Sequence, residues 1–370
     1  MEKQFQMTRA DRVKFSKKSK ATALLLFALA MGMYLILFIG TLFVSGPISY
    51  ALSALCGLAI GVLFIIGHDA CHHSYTGSGL LNNVIGRLAF LPSLHPFSLW
   101  DVGHNKVHHK FNNIRGKDYV WEPMSPDEFS KSSTLKKFFY QFFRHPLGIP
   151  LYYMPEIWMK KMAIPRPSVL GEMKPIYLFD SIFVWSFCAA QVWVCIAVGK
   201  AFGKGGAESA IVSMIIPFLV WNGLMSIVIY LHHMHPKAVW YSSVEEWRHD
   251  QGAINGTVHV RFPLIVRSVL LNIMEHNAHH FFPGAPLYRL PPLQAKMAEE
   301  TSVISWTWSL PAFLNICWQC KLFDYEKRAW VGFGEQPAKA GIRRSSHWRR
   351  CGAHHESGAG RGGGRGQTTR

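Results

Sequence analysis

The sequence predicts an all-α integral membrane protein with four transmembrane helices and a cytosolic helical cap. Three observations carry that reading. Hydrophobic residues make up 49% of the 370, while charged residues reach only 16%, below the roughly 25% of an ordinary soluble chain. Four runs, 21–45, 47–67, 176–198 and 209–231, are uncharged or nearly so, and each has about the 20 residues that cross a bilayer as a helix. Lys and Arg are sharply partitioned among the segments between those runs.

Residues 1–20 read as a basic arm, with Lys3, Arg9, Arg12, Lys14, Lys17, Lys18 and Lys20. The first apolar run is too long for a cleaved leader, and no small-residue cleavage site follows it. It turns through Gly46 almost directly into the second run. Residues 68–175 hold thirteen Lys and Arg, the segment after the fourth run seventeen, and the two short loops only Lys200 and Lys204. The arm, the central block and the C-terminal block are therefore expected on the cytosolic side, most simply of a bacterial cytoplasmic membrane, with much of the +17 formal charge facing anionic headgroups. No nucleic-acid reader motif accompanies that charge.

The third run contains Asp180 and the fourth contains Pro217 and Asn222, which a span tolerates when neighbours satisfy the polar groups. Residues 80–100 are apolar but include Arg87, Pro92, His95 and Pro96, which suits a helix lying in the interface. VISWTWSLPAFLNICW (303–318) is too short and Pro-broken to span. Residues 21–335 form one membrane domain on this reading, and the Gly/Arg-rich tail, 336–370, is expected to be disordered. The seven scattered cysteines suggest no disulfide framework.

Histidine carries the chemistry. GHDACHHSY (67–75), GHNKVHHKF (103–111), YLHHMHPKA (230–238) and MEHNAHHFFPG (274–284) hold twelve of the nineteen. On an α-helix, i, i+3 and i+4 share a face. His276, His279 and His280 fit that rule, as do His68 with His72 and His104 with His108. His73 and His109 do not, so the second cluster is expected at a helix end or a local distortion, with Asn105, His108 and His109 as the alternative set. The clusters at His68 and His232 follow spans separated by an even number of crossings, so all four emerge on one side.

Eight or nine imidazoles exceed what one ion takes and suit two ions with open positions. Imidazole suits Zn, Cu, Fe and Ni. Thiolates are missing, unlike structural zinc sites, and so is the H-E-x-x-H pattern of zinc hydrolases. Two irons that activate oxygen fit the donors best, which makes the cap the holder of a His-rich di-metal site. A divalent-metal transporter is the rival from a different class, but it should carry ligands mid-membrane, and the four apolar runs contain no histidine.

His68-Asp-Ala-Cys-His72-His73, His104-x-x-x-His108-His109 and His276-x-x-His279-His280 resemble the three histidine boxes of membrane fatty acid desaturases, in order, spacing and placement between span pairs. KDYVWEPMSPDEF (117–129), Trp100 and YLHHMHP (230–236) are similar to the acyl-lipid Δ12/ω-6 branch, and the resemblance covers roughly residues 45–300. It implies O₂-dependent introduction of a cis double bond into a lipid-, CoA- or carrier-protein-linked acyl chain. It implies two Fe ions held by His68, His72, His104, His108, His109, His276, His279 and His280. The ninth ligand is His233 by match to the family's H-x-H-P, with His232 and His235 open. Asp69 and Asn277 are candidates for orienting imidazoles. No H-P-G-G haem stretch is present, so electrons are expected from a separate ferredoxin or cytochrome b5-type donor. Acetylenation and hydroxylation remain as reactions of the same scaffold.

Overall fold

The computed structural model describes residues 4–334. The tail expected from residue 336 onward lies outside them. Among the described residues, four long helices have the length and hydropathy of spans: Lys20–Phe43, Pro47–Cys71, Pro175–Ala201 and Gly206–His233. The first three begin where a start is cheap. Ser19 caps the first by accepting from the Thr22 amide. Pro47 opens the second after Gly46, whose φ of 73° reverses the chain. Pro175 opens the third. In the fourth, a wide π-turn at Ile211–Ile215 leads into Pro217, which has no N–H to offer the ladder.

The spans divide into an outer and an inner pair. Only 17% of the first and of the third is buried, against 61% of the second and 39% of the fourth. Leu25, Leu29, Ile36, Ile182 and Trp193 of the outer pair are exposed, as a lipid-facing surface requires. The inner pair touches at Gly57, where an added Cβ would lie 2.7 Å from Val220 Cβ. Asp180 is buried in the third span and takes a fork from Arg87, at 2.7 and 3.3 Å, plus the Ser98 amide at 2.9 Å. The one acid of that run is thus paired, and it ties the interfacial helix Gly79–Phe90 to the segment that carries the second histidine cluster.

The second and fourth helices outrun their apolar stretches, so His68 lies in the last turns of the second helix and His232 and His233 in the last turn of the fourth, rather than just after a span as expected. All four clusters lie at this end of the bundle. The cap there is built from short helices and two small ribbons: His259–Arg261 runs parallel to Ser305–Thr307, and Leu322–Asp324 pairs antiparallel with Ala329–Val331. The 303–318 run becomes that second strand and the helix Leu310–Gln319, with Trp308 and Trp318 exposed and Ile316 and Cys317 buried. The basic arm is docked on the cap. Phe5 and Phe15 are buried, Gln251 bonds both backbone groups of Phe5, and Lys296 meets Asp11 at 2.7 Å.

Candidate metal centre

Nine imidazoles from four separate segments meet in two adjacent groups. The first group is His68, His72, His104, His109 and His279; the second is His108, His233, His276 and His280. Within each group, one ring nitrogen per residue lies within 4.8 Å of the others. His109 and His280 stack at 4.0 Å between centroids and join the two.

Local structure explains which ring goes where. The second helix ends at Cys71, and His73 takes a left-handed φ of 54° that turns it to solvent; His68 and His72 remain inside one turn apart. Asp101–His108 is a π-helix whose i→i+5 bonds run on to the His109 amide, which bonds the His104 carbonyl. The wider turn aligns His104 with His109 and sends His108 to the other group. Asn105 leaves the centre and instead bonds Asp101 Oδ1 and the Cys71 carbonyl. His276–Phe281 is α-helical, so His276 and His280 share the second group and His279 faces the first.

The ring nitrogens point at one another. Nε2 of His104 is 2.7 Å from that of His68 and 3.0 Å from that of His109; His279 Nε2 is 3.1 Å from His109 Nε2. In the second group, His276 Nε2 lies 3.1 Å from His233 Nε2. His72 Nε2 and both nitrogens of His280 are buried without any hydrogen-bond partner. Burial, with repulsion from neighbouring imidazoles second, holds the pKa of His72, His104, His109, His276, His279 and His280 well below the usual histidine value. Neutral rings with converging lone pairs repel unless a cation lies between them, and buried nitrogens without partners are costly. The donor set therefore fits two metal ions in an all-imidazole environment.

Outer partners fix the rings. Both oxygens of buried Asp118 lie 3.1 Å from His108 Nδ1, which directs Nε2 inward as a carboxylate–histidine–metal arrangement does. Asp118 also accepts the Asn113 and Val120 amides. His233 Nδ1 faces the Gly256 carbonyl and Asn113 Oδ1, each at 3.3 Å.

Two sequence-based expectations need correction. Asp69 meets no ring nitrogen: it accepts from Ser74 Oγ at 2.6 Å and from the Leu287 amide at 3.4 Å, because its Cα direction on the helix points away from His68 and toward that loop. Asn277 instead donates to the carbonyls of Ile254 and Thr257; one residue on from His276, it is turned about 100° round the helix, off the face that the three rings share. Asp118, which does the orienting, lies in the KDYVWEP stretch (117–123), where no histidine or helix period marks it. Of the open fourth-cluster histidines, His233 joins a group. His232 stacks on His276 at 3.6 Å, outside both groups, and His235 accepts the Lys237 amide away from the centre.

An apolar cavity abuts both groups. Phe64, Trp100, Tyr119, Tyr153, Ile157 and Met225 line it, with His68, His104, His108, His233 and His276 at its metal end. Trp100 stacks on His104 at 4.6 Å. Tyr153 is buried and its hydroxyl lies 2.8 Å from Nε2 of His95, whose Nδ1 donates to the Ser93 carbonyl. His95 is held down to about 3 by burial, so this pair is neutral and the Tyr153 hydroxyl donates.

Residues 45–309 match the family profile described as fatty acid desaturase. The chain is 31% identical over 280 residues to the chloroplastic omega-6 fatty acid desaturase of Glycine max, covering 73% of this chain and 62% of that one. It is 28% identical over 313 residues to the sn-1 oleoyl-lipid 12-desaturase of Picosynechococcus sp., covering 84% and 85%. The endoplasmic-reticulum omega-3 fatty acid desaturase of Nicotiana tabacum is 28% identical over 249 residues, covering 64% and 61%. Matches thus span about three fifths of the plant relatives and most of the cyanobacterial one.

Proposed function

The chain belongs to the fatty acid desaturase family, and from that premise we propose that it introduces a cis double bond, at the Δ12/ω-6 position, into the acyl chain of a membrane glycerolipid. The observation that carries this reading is the two-group imidazole centre abutting an apolar cavity. The similarity to omega-6 and oleoyl-lipid 12-desaturases supports the position and the lipid.

The nine histidines of the two groups hold two irons in this proposal. Bound there, iron would supply the reduction of O₂ to two waters, which takes up the two hydrogens removed from adjacent methylenes together with two electrons and two solvent protons. Two electrons arrive from a separate ferredoxin or cytochrome b5-type donor docking on the basic face, which lies in the cytosol. The chain's own side chains do the rest. Burial keeps His72, His104, His109, His276, His279 and His280 uncharged, so each of these offers a lone pair. Asp118 holds the His108 tautomer. Phe64, Ile157 and Met225 exclude water and grip the methylenes, and positioning of this kind is worth up to about 7–11 kcal/mol of barrier. The Tyr153 hydroxyl is engaged by His95 and so is not left for the alkyl chain to desolvate.

The test is expression in a host that lacks polyunsaturated lipids, followed by mass spectrometry of its fatty acids. A new diunsaturated chain whose formation needs oxygen, together with two irons per purified chain, is the expected result. Metal flux into vesicles without oxygen, and no new fatty acid, would overturn the reading.

A further inference from the structure

The two inner spans part toward the cap. They touch at Gly57 and Val220, and Trp221 then fills the space beside Gly61, 3.7 Å from where a Cβ would stand. Beyond that an apolar groove opens to the outside between the second and fourth spans, floored from Leu58 to Leu231 and roofed by the short helix Leu264–Val269. Nearly all of its surface is hydrocarbon. Ile265 is 75% exposed and Val269 52%, so the roof helix presents aliphatic side chains outward, with Arg261 before it and Arg267 within it, as helices lying in a lipid interface do.

The groove's floor is also the wall of the inner cavity. Phe64, Ile65, Met225 and Val228 line both. One layer of side chains separates the lipid-facing groove from the space that ends at His68 and His276. Met225 and Val228 lie one turn apart on the fourth span, and an unbranched methionine is the side chain best able to swing aside.

We propose that this groove is the lateral portal through which an acyl chain of a bilayer glycerolipid reaches the imidazole centre, with Met225 and Val228 as its gate. The proposal rests on the acyl-chain reading above and adds the route. A diacyl lipid entering here keeps its second chain in the bilayer and its headgroup at the level of Arg261. The single shared wall between the two apolar spaces favours this occupant over a water-soluble acyl thioester, which has no need to pass between lipid-facing spans.

The test uses full-length protein in dioleoyl phosphatidylcholine vesicles doped with a phosphatidylcholine that carries a diazirine on one acyl chain. After irradiation the label is expected on 58–65 and 224–231 as well as on the lipid-facing first and third spans. Val228→Trp, which fills the shared wall, is expected to lose the label at Phe64 and Ile65 and the conversion of bilayer lipid while keeping two irons per chain. Label confined to the first and third spans, or a Val228→Trp protein that converts bilayer lipid at the wild-type rate, overturns the portal. Should Val228→Trp fail to hold iron, the wild-type label map and Met225→Phe decide the matter. Groove labelling with no new double bond would retain the portal and sink the desaturase reading; a new double bond with no groove labelling would do the reverse.

Discussion

The second and third histidine clusters solve one problem with two helix periods. In His276–Phe281 the pair that shares a group is i, i+4, His276 with His280, and His279 between them faces the other group. In Asp101–His108 and the residue after it, the sharing pair is i, i+5, His104 with His109, and His108 faces away. Each segment splits its three rings two and one, in opposite senses, and so each contributes to both groups. The extra residue in the second cluster is absorbed by the π-turn, so the number of residues between ligands matters less than the backbone period that carries them.

The largest effects come from removing a ring. His109→Ala and His280→Ala each take a lone pair from a different group, so each is expected to abolish oxygen-dependent product while the protein still inserts. Iron counted on the purified variants should fall in both. Equal, undiminished iron in His109→Ala would mean that the π-turn does not deliver that ring to the centre.

Register comes next. Deleting Lys106, whose side chain is exposed, gives the second cluster the spacing of the third, and an ordinary α-turn then superposes His104 and His109 without a bulge. This variant is expected to keep both irons and part of its activity. Deleting Ala278 has no such escape and should empty the centre. Iron content and circular dichroism of the pair check this; equal loss in both would show that the π-turn is needed for more than alignment.

The outer partners differ as well. His108 has Asp118 behind it, whereas His280 has neither nitrogen bonded to protein. Asp118→Asn should therefore lower iron affinity or activity by about 10–100-fold. Asp69→Asn, which breaks only a bond to Ser74 and a long one to Leu287, should leave iron content unchanged. Iron titration of both variants distinguishes them.

The two clusters also mark how far sequence reading reaches here. Four spans, their order and the α-spaced third cluster follow from period and composition, because apolar runs of that length and i, i+3, i+4 histidines have few other uses. The second cluster was legible as an anomaly: His109 shares no α-face with His104, and only the backbone shows that a π-turn, rather than the alternative set with Asn105, resolves it. Asp118 was invisible because its partner lies ten residues away across an irregular loop, where no period applies. Asp69 misled for the opposite reason, since adjacency to His68 in sequence places it on another face of the helix. The docking of the basic arm rests on Phe5, Phe15 and Asp11, which charge counting overlooks.

The smallest predicted difference is in acid. Every ring of the second group is buried, whereas His72 and His109 of the first are half-buried. The folded pKa values of His72, His104, His109, His276, His279 and His280 lie below the ordinary value of about 6.5. Above that value both folded and unfolded rings are neutral, and these groups do not affect folding. As pH falls through it the unfolded chain takes up protons that the folded one refuses, so stability declines with acid. Bound metal adds a competition in the same direction, because protons and metal seek the same lone pairs. The half-buried rings lie nearest solvent, so local opening brings protons to them first. Lowering the pH from about 7.5 to 5.5 should therefore release iron in two steps, the first from the group built on the π-turn. His109→Ala should remove the early step and leave the late one. Release in a single step, unchanged by that substitution, would show that the two helix periods build one coupled site and not two of unequal exposure.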